Sequence, residues 1–188
     1  MGGNPLGSAA EFLIRTLFDL YILLIMLRFL LQVVRADFYN PLSQFVVRAS
    51  NPVLVPLRRL IPGLGGIDIS SVLVMLALKM AELALIAIVV RGLEPSAVQL
   101  LIISFADLTQ LTVYVFIFAI IIQVVLSWIA PGTFNPVVSL VFSLTEPLLG
   151  PARKIIPPFS GMDLSPLIVL VALQLILILV VGPLYSLA

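Results

Sequence analysis

The sequence predicts an all-α integral membrane protein with four transmembrane helices, built as two parallel span–loop–span repeats with amphipathic, proline-kinked interfacial helices. Three observations carry that expectation. The 188-residue chain is 62% hydrophobic and 10% charged, with a mean hydropathy of +1.26, whereas a soluble domain is about one quarter charged. Four continuous apolar runs each supply the roughly 20 residues a helix needs to cross a hydrocarbon core of about 30 Å. Finally, a polar, broken segment, "NPVLVPLRRLIPGLGGIDIS" from Asn51 to Ser70, returns as "EPLLGPARKIIPPFSGMDLS" from Glu146 to Ser165.

The same composition excludes several functions. Cysteine and histidine are absent, which removes disulfides, thiolate and imidazole metal sites, histidine-ligated haem and histidine base catalysis. No nucleophile–base pair stands out, so no catalytic residue is assigned and no metal or other cofactor is expected. The net charge of +1 comes without a basic run that could track phosphates, so nucleic acid is not an expected partner. The N-terminus, "MGGNPLGSAAEF", lacks the basic region of a cleaved signal peptide, and the first apolar segment is expected to remain.

The spans fall at Phe12–Val34, Val72–Val90, Leu111–Ala130 and Leu164–Pro183. They are continuous rather than alternating, which favours helices over barrel strands. The apolar stretch Ser96–Asp107 reads as an interfacial lead-in, because joining it to the third span makes a helix too long for one crossing. The first inter-span loop holds Arg35, Arg48, Arg58 and Arg59, the third holds Arg153 and Lys154, and the second holds only Arg91. Lys and Arg gather on the cytoplasmic side. Loops 35–71 and 131–163 are therefore expected in the cytoplasm and both termini in the periplasm, although Arg15 argues mildly the other way.

Two repeats, residues 1–95 and 96–188, follow from one constant offset. Asn40-Pro41 meets Asn135-Pro136, Pro52 meets Pro147, Pro56 meets Pro151, and Arg58-Arg59 meets Arg153-Lys154. Pro62, Gly66 and Asp68 then meet Pro157, Gly161 and Asp163. Matching Leu or Val could be chance, but a run of matching Pro, Gly, Arg and Asp is not. Each copy holds two spans, so the copies point the same way, unlike inverted-repeat transporters.

Each loop has amphipathic spacing. Leu42, Phe45, Val46 and Ala49 share a face behind an Asn40 N-cap and a Pro41 at the first helical position. Val53, Leu54, Leu57, Leu60 and Ile61 make a second stripe. Pro56 and Pro151 each follow another proline by four residues, so each stretch is expected to be kinked there or to start at the second proline. Freed backbone groups cannot face lipid, so these elbows are expected at the headgroup boundary or dipping in as short re-entrant elements packed on protein. Arg58, Arg59, Arg153 and Lys154 then anchor anionic lipid headgroups or dock a partner, another membrane protein or a second copy of the chain. Asp68 or Ser70, and Asp163 or Ser165, read as helix caps rather than as catalytic groups.

Charges inside the spans are costly and informative. Lys79 and Glu82, spaced i, i+3, can pair on one face. Gln174 stands at the offset of Lys79 and Gln123 at that of Arg28. Arg28, Lys79, Glu82, Gln123 and Gln174 thus suggest a polar seam where the halves meet. It reads as interhelical glue, against the sharper alternative of a cation or proton path carried by Glu82. Arg28 is close enough to the loop to snorkel, and Glu11, Arg15 and Asp19 form an i, i+4 ladder. Trp128 and Tyr39 read as interface anchors.

The phrases "DFYNPLSQFVVRASNPVLVPLRRLIPGLGGIDISS" and "TEPLLGPARKIIPPFSGMDLSP" resemble the YggT family, also called YlmG, over nearly the whole chain. The doubled P-x-x-x-P-x-R-[RK]-x-[IL]-P…G-x-D-x-S signature looks like that of proteobacterial inner-membrane members; Ser71 departs from the second copy's Pro166. The resemblance implies roles in tolerance of osmotic stress and potassium limitation, in division or nucleoid organisation, or in assembly of a b-type cytochrome in plastids. It brings no catalytic residue set. The reading is a non-enzymatic inner-membrane protein that organises or assembles membrane components, with a small channel or transporter component in ion homeostasis as the alternative.

Overall fold

The computed structural model describes residues 5–61, 67–129, 135–156 and 163–187. Pro62, Gly66, Pro157 and Gly161 of the repeat signature, and Ala130 at the end of the third expected span, lie outside the described residues. All the regular elements described are helical. α1 runs Pro5–Val33, α2 Pro41–Leu60, α3 Ile69–Leu85, α4 Ala97–Ile129, α5 Pro136–Ile155, α6 Ser165–Ile176 and α7 Gly182–Ser186. π-helical turns at Ile86–Val90 and Leu177–Val181 extend α3 and α6.

Four helices are long and apolar enough to cross a membrane: Pro5–Val33, Ile69–Val90, Ala97–Ile129 and Ser165–Ser186. They match the four expected spans, and the chain is a multi-pass membrane protein. Two boundaries differ from expectation. α1 begins at Pro5 rather than Phe12, and Ser96–Asp107 is no separate lead-in, since α4 is one 33-residue helix. At 1.5 Å per residue such a helix is about 50 Å long and overshoots the hydrocarbon core. Nothing between Ala97 and Ile129 breaks it, for the segment contains neither Pro nor Gly.

The elbow helices repeat closely. α2 and α5 are each 20 residues long, begin at a proline after an Asn cap, and end on an extended Ile61 or Ile156. The Asn40 side chain accepts from the Leu42 amide at 2.9 Å and that of Asn135 from the Val138 amide at 2.9 Å. Of the two outcomes expected at the prolines, a start at the second one is overturned. Each elbow is a single helix running through Pro52 and Pro56 or through Pro147 and Pro151. All four prolines face outward, so the carbonyls they strand lie on the side where outside donors can reach them. The inward faces hold fully buried Ser50 and Leu54 in α2, and Thr145 and Leu149 in α5.

α2 lies against the end of α1 and the start of α3, and α5 against α4 and α6. The elbows meet at one end of the bundle, where the Asn40 Nδ2 donates to the Pro136 carbonyl at 2.7 Å. The halves share a core, with Ile25, Leu54 and Met75 of the first packed with Val115 and Leu144 of the second. Lipid is as apolar as these side chains, so burial alone does not choose the arrangement. Close packing and interhelical polar ties must do it.

Candidate functional site

Two kinds of polar tie hold each elbow. The first is an ion pair. Arg58, at the end of α2, donates from Nε to Asp68 Oδ2 at 3.1 Å and closes on the same oxygen through Nη2. Asp68 also accepts from the Ser71 hydroxyl and amide, capping α3. In the second copy Arg153 Nε donates to Asp163 Oδ2 at 2.8 Å, and Asp163 Oδ1 accepts from the Ser165 amide at 2.9 Å. One carboxylate thus caps the returning span and clamps the elbow. Burial works to raise the Asp68 pKa, but the bonds from Arg58 and Ser71 outweigh it and hold the carboxyl below its ordinary value.

The second tie is a pin between the outgoing span and the middle of the elbow. Arg28 Nη1 donates to Ser50 Oγ at 2.7 Å, Asn51 Oδ1 at 2.9 Å and the Val47 carbonyl at 3.3 Å. At the same offset, the Thr145 hydroxyl bonds Gln123 Oε1. Arg28 is buried and turned onto α2.

A charge cluster lies deeper, where the halves meet. Lys79 Nζ donates to Asp19 Oδ1 at 2.8 Å and to both Glu82 oxygens at 2.9 and 3.0 Å, with Asp107 Oδ2 of α4 at 3.5 Å. Arg15 Nη1 stands 3.8 Å from Glu82 and its Nη2 3.0 Å from Glu11, which also accepts from Arg91 at 2.8 Å. Tyr185 reaches over from α7 to Asp107, 2.7 Å from Gln110. A cleft of about 550 Å³ opens beside the cluster, lined by Asp19, Lys79, Asp107, Gln110 and Tyr114. Glu82 is fully buried and Lys79 nearly so, which is tolerable in a span only because each faces opposite charge.

The comparisons with known proteins agree on one family. The model of the family described as CCB3/YggT matches this chain twice, at residues 7–89 and 102–184. The chain belongs to the CCB3/YggT family. It is 50% identical over 178 residues to an uncharacterised protein of Pseudomonas aeruginosa, covering 94% of this chain and 90% of that one. A Vibrio alginolyticus protein, described as an uncharacterised protein in the proC 3′ region, is 40% identical over 184 residues, with 95% and 98% covered. The Escherichia coli K12 protein printed as uncharacterised protein YggT is 34% identical over 169 residues, with 90% and 87% covered. No solved structure matches.

Within this YggT-family chain the expected site residues separate into groups. Arg58 and Arg153 are occupied by the clamps, while Arg59 and Lys154 stay exposed and make no ion pair with any described residue. The single polar seam is not formed. Arg28 and Gln123 each serve their own repeat, Lys79 and Glu82 gather at the junction of the halves, and Gln174 is exposed on α6. The Glu11–Arg15–Asp19 ladder is split, because Asp19 turns to Lys79. Trp128 and Tyr39 are both exposed. Sequence reasoning missed Asp107, Tyr185, Ser50, Asn51 and Thr145. The last three had a signal, since polar positions 50 and 51 recur at 145 and 146 beside the Arg28/Gln123 match. Asp107 and Tyr185 had none, as neither has a polar counterpart at the repeat offset.

Proposed function

We propose that this chain is a non-enzymatic inner-membrane protein that organises or assists assembly of other membrane components through a platform made of its two elbow helices. The observation carrying this reading is the pairing of the elbows. The 2.7 Å bond from Asn40 to the Pro136 carbonyl sets the starts of α2 and α5 side by side. Arg59 and Lys154 are exposed at their far ends with no ion pair to any described residue, and Phe45, Val55, Val137 and Ile155 are exposed along them. In this reading the elbows face the cytoplasm, where free cations gain about 1 kcal/mol each from anionic lipids, and the termini are periplasmic. A contribution to osmotic-stress tolerance, which the resemblance implies, follows from disturbed assembly.

The test reverses the free charges alone. Arg59→Glu with Lys154→Glu leaves both clamps intact. It is expected to strip co-purifying membrane proteins from the full chain in mild detergent, and to abolish rescue of a deletion strain under osmotic stress. Unchanged co-purification together with unchanged rescue overturns the platform.

A second reading, a small channel or transporter component in potassium or ion homeostasis, draws on the cleft beside Lys79. Glu11, Asp19, Glu82 and Asp107 outnumber Arg15, Lys79 and Arg91 by one charge, a balance that suits a cation. Liposome flux separates the readings: flux lost in the Lys79→Leu/Glu82→Leu double variant supports transport, and flux that is absent or indifferent to it removes transport.

A further inference from the structure

A second cavity, of about 400 Å³, lies between α1 and α2 of the first repeat, lined by Arg28, Gln32, Arg35, Ser43 and Arg58 among others. We propose that it binds a phosphate-bearing anion, a phosphomonoester or phosphodiester group held by the three guanidiniums. The inference goes beyond the platform reading and uses neither Arg59 nor Lys154.

Four observations converge. Arg28 is buried, yet all three of its acceptors are neutral oxygens and none of the described carboxylates pairs with it. A buried cation that touches no carboxylate and feels Asp68 only at a distance is costly, and an anion in the cavity lowers that cost. Second, the competing anion is spoken for: Asp68 is held by Arg58 and Ser71. Three cations against one carboxylate leave an excess of two, enough to hold a phosphodiester and fully balanced by a phosphomonoester.

Third, the buried Ser43 hydroxyl, on the wall of the same cavity, has no hydrogen-bond partner among the described residues. The oxygen is covered, as are those of Ser104 and Ser165, so Ser43 counts by its place on the wall and reaches a ligand by turning about χ1. Fourth, Arg35 follows the end of α1 at φ 54°, a left-handed position that glycine occupies at no steric cost. An arginine there is a poor helix stop, but it brings a third guanidinium to the cavity wall.

The second repeat supplies an internal control. At the offset that preserves the prolines and the Arg–Asp clamp, Arg28 becomes Gln123, Gln32 becomes Ser127, Arg35 becomes Ala130 and Ser43 becomes Val138. Asn51 becomes Glu146, which pairs with Arg153 at 2.8 Å. The fold is repeated while the anion chemistry is not. A purely architectural role for Arg35 and Ser43 gives no reason for that difference.

The full chain, purified in nonionic detergent and stripped of lipid, is titrated with phosphatidylglycerol, with diacylglycerol as the phosphate-free control, and separately with inorganic phosphate. Native mass spectrometry and calorimetry read the binding. Phosphatidylglycerol binding without inorganic phosphate binding identifies a lipid headgroup; saturation by inorganic phosphate identifies a soluble source. In either case Arg35→Gln and Ser43→Val are each expected to weaken binding by about tenfold, the worth of one charge-assisted hydrogen bond. Arg35→Gly is expected to weaken it similarly while keeping or raising the melting temperature, which separates ligand loss from misfolding. Preference for neither phosphate compound over its control, or binding that survives the Arg35→Gln/Ser43→Val double variant, overturns the proposal. Binding by Arg59→Glu/Lys154→Glu unchanged from wild type keeps it separate from the platform.

Discussion

Arg58 and Asp68 join the end of the first elbow to the first turn of the returning span, and Arg153 and Asp163 form the same pair in the second copy. The pair turns a loop that could lie anywhere at the membrane surface into a corner of set geometry. The first copy is the better buried of the two, since Asp68 is 4% exposed and Asp163 34%. Asp68→Asn keeps an oxygen for the cap but loses the charge facing Arg58; a hydrogen bond to a charged group is worth about 1.5–3 kcal/mol, and screening at Arg58, 35% exposed, brings the cost to the low end of that range. Asp68→Asn is therefore expected to lower the melting temperature in detergent clearly. Asp163→Asn should cost well under 1 kcal/mol of ion-pair energy, because an exposed pair is weak.

Acid should erase the difference. The folded-state pKa of Asp68 lies below its ordinary value near 3.8. Its contribution to stability is thus full above that unfolded value, and is lost as pH falls through the lower folded one. Denaturation of wild type and Asp68→Asn at a series of pH values is expected to show a constant gap from neutrality down to about pH 5, narrowing below about pH 4. A gap that persists at low pH is inconsistent with the clamp.

The pins lend themselves to a transplant. Arg28→Gln alone removes the three bonds to α2, leaving the Ser50 hydroxyl on the Val46 carbonyl at 2.7 Å, and is expected to destabilise the first repeat by about 1–3 kcal/mol. Adding Ser50→Thr recreates the Gln123–Thr145 pair of the second copy, and is expected to recover at least half of that loss. A double-mutant cycle in thermal unfolding measures the coupling.

Lys79 and Glu82 should behave as one unit. Lys79→Leu leaves Glu82 buried with Arg15 alone nearby at 3.8 Å and is expected to cost about 3–5 kcal/mol. The double change Lys79→Leu/Glu82→Leu should cost less, since it leaves no fully buried carboxylate unpaired, although Asp19 and Asp107 also lose Lys79. Equal losses in the single and double variants would show that the carboxylate does not depend on the ammonium.

Orientation is open to a direct chemical check, because the chain has no cysteine of its own. The positive-inside expectation is that Arg59→Cys reacts with an impermeant maleimide only after the cells are permeabilised, while Gly92→Cys reacts in intact cells. The reverse pattern inverts the topology.

Much of the architecture was legible because its signals are strong and local. The apolar runs mark Ile69–Val90 and Ser165–Ser186 closely, and Asn40-Pro41 and Asn135-Pro136 mark two helix starts to the residue. The length of α4 was not legible: a hydrophobic run says how much chain can lie in lipid, not how much helix continues past it. The prolines do not end the helices, because all four face outward, where their freed carbonyls cost least. In the candidate site, i, i+3 spacing exposed Lys79 and Glu82. Which carboxylates joined them from α1 and α4 depends on helix rotation in the assembled bundle, and no pattern within one span encodes it.

The order in which the cluster is supplied has a consequence for synthesis. Asp19, Lys79 and Glu82 all precede Asp107 along the chain, and the first three already satisfy one another at 2.8 to 3.0 Å. The leading hairpin thus carries the counter-charges its lysine needs within its own sequence. Asp107 comes late, as a latch by which the second half finds the first.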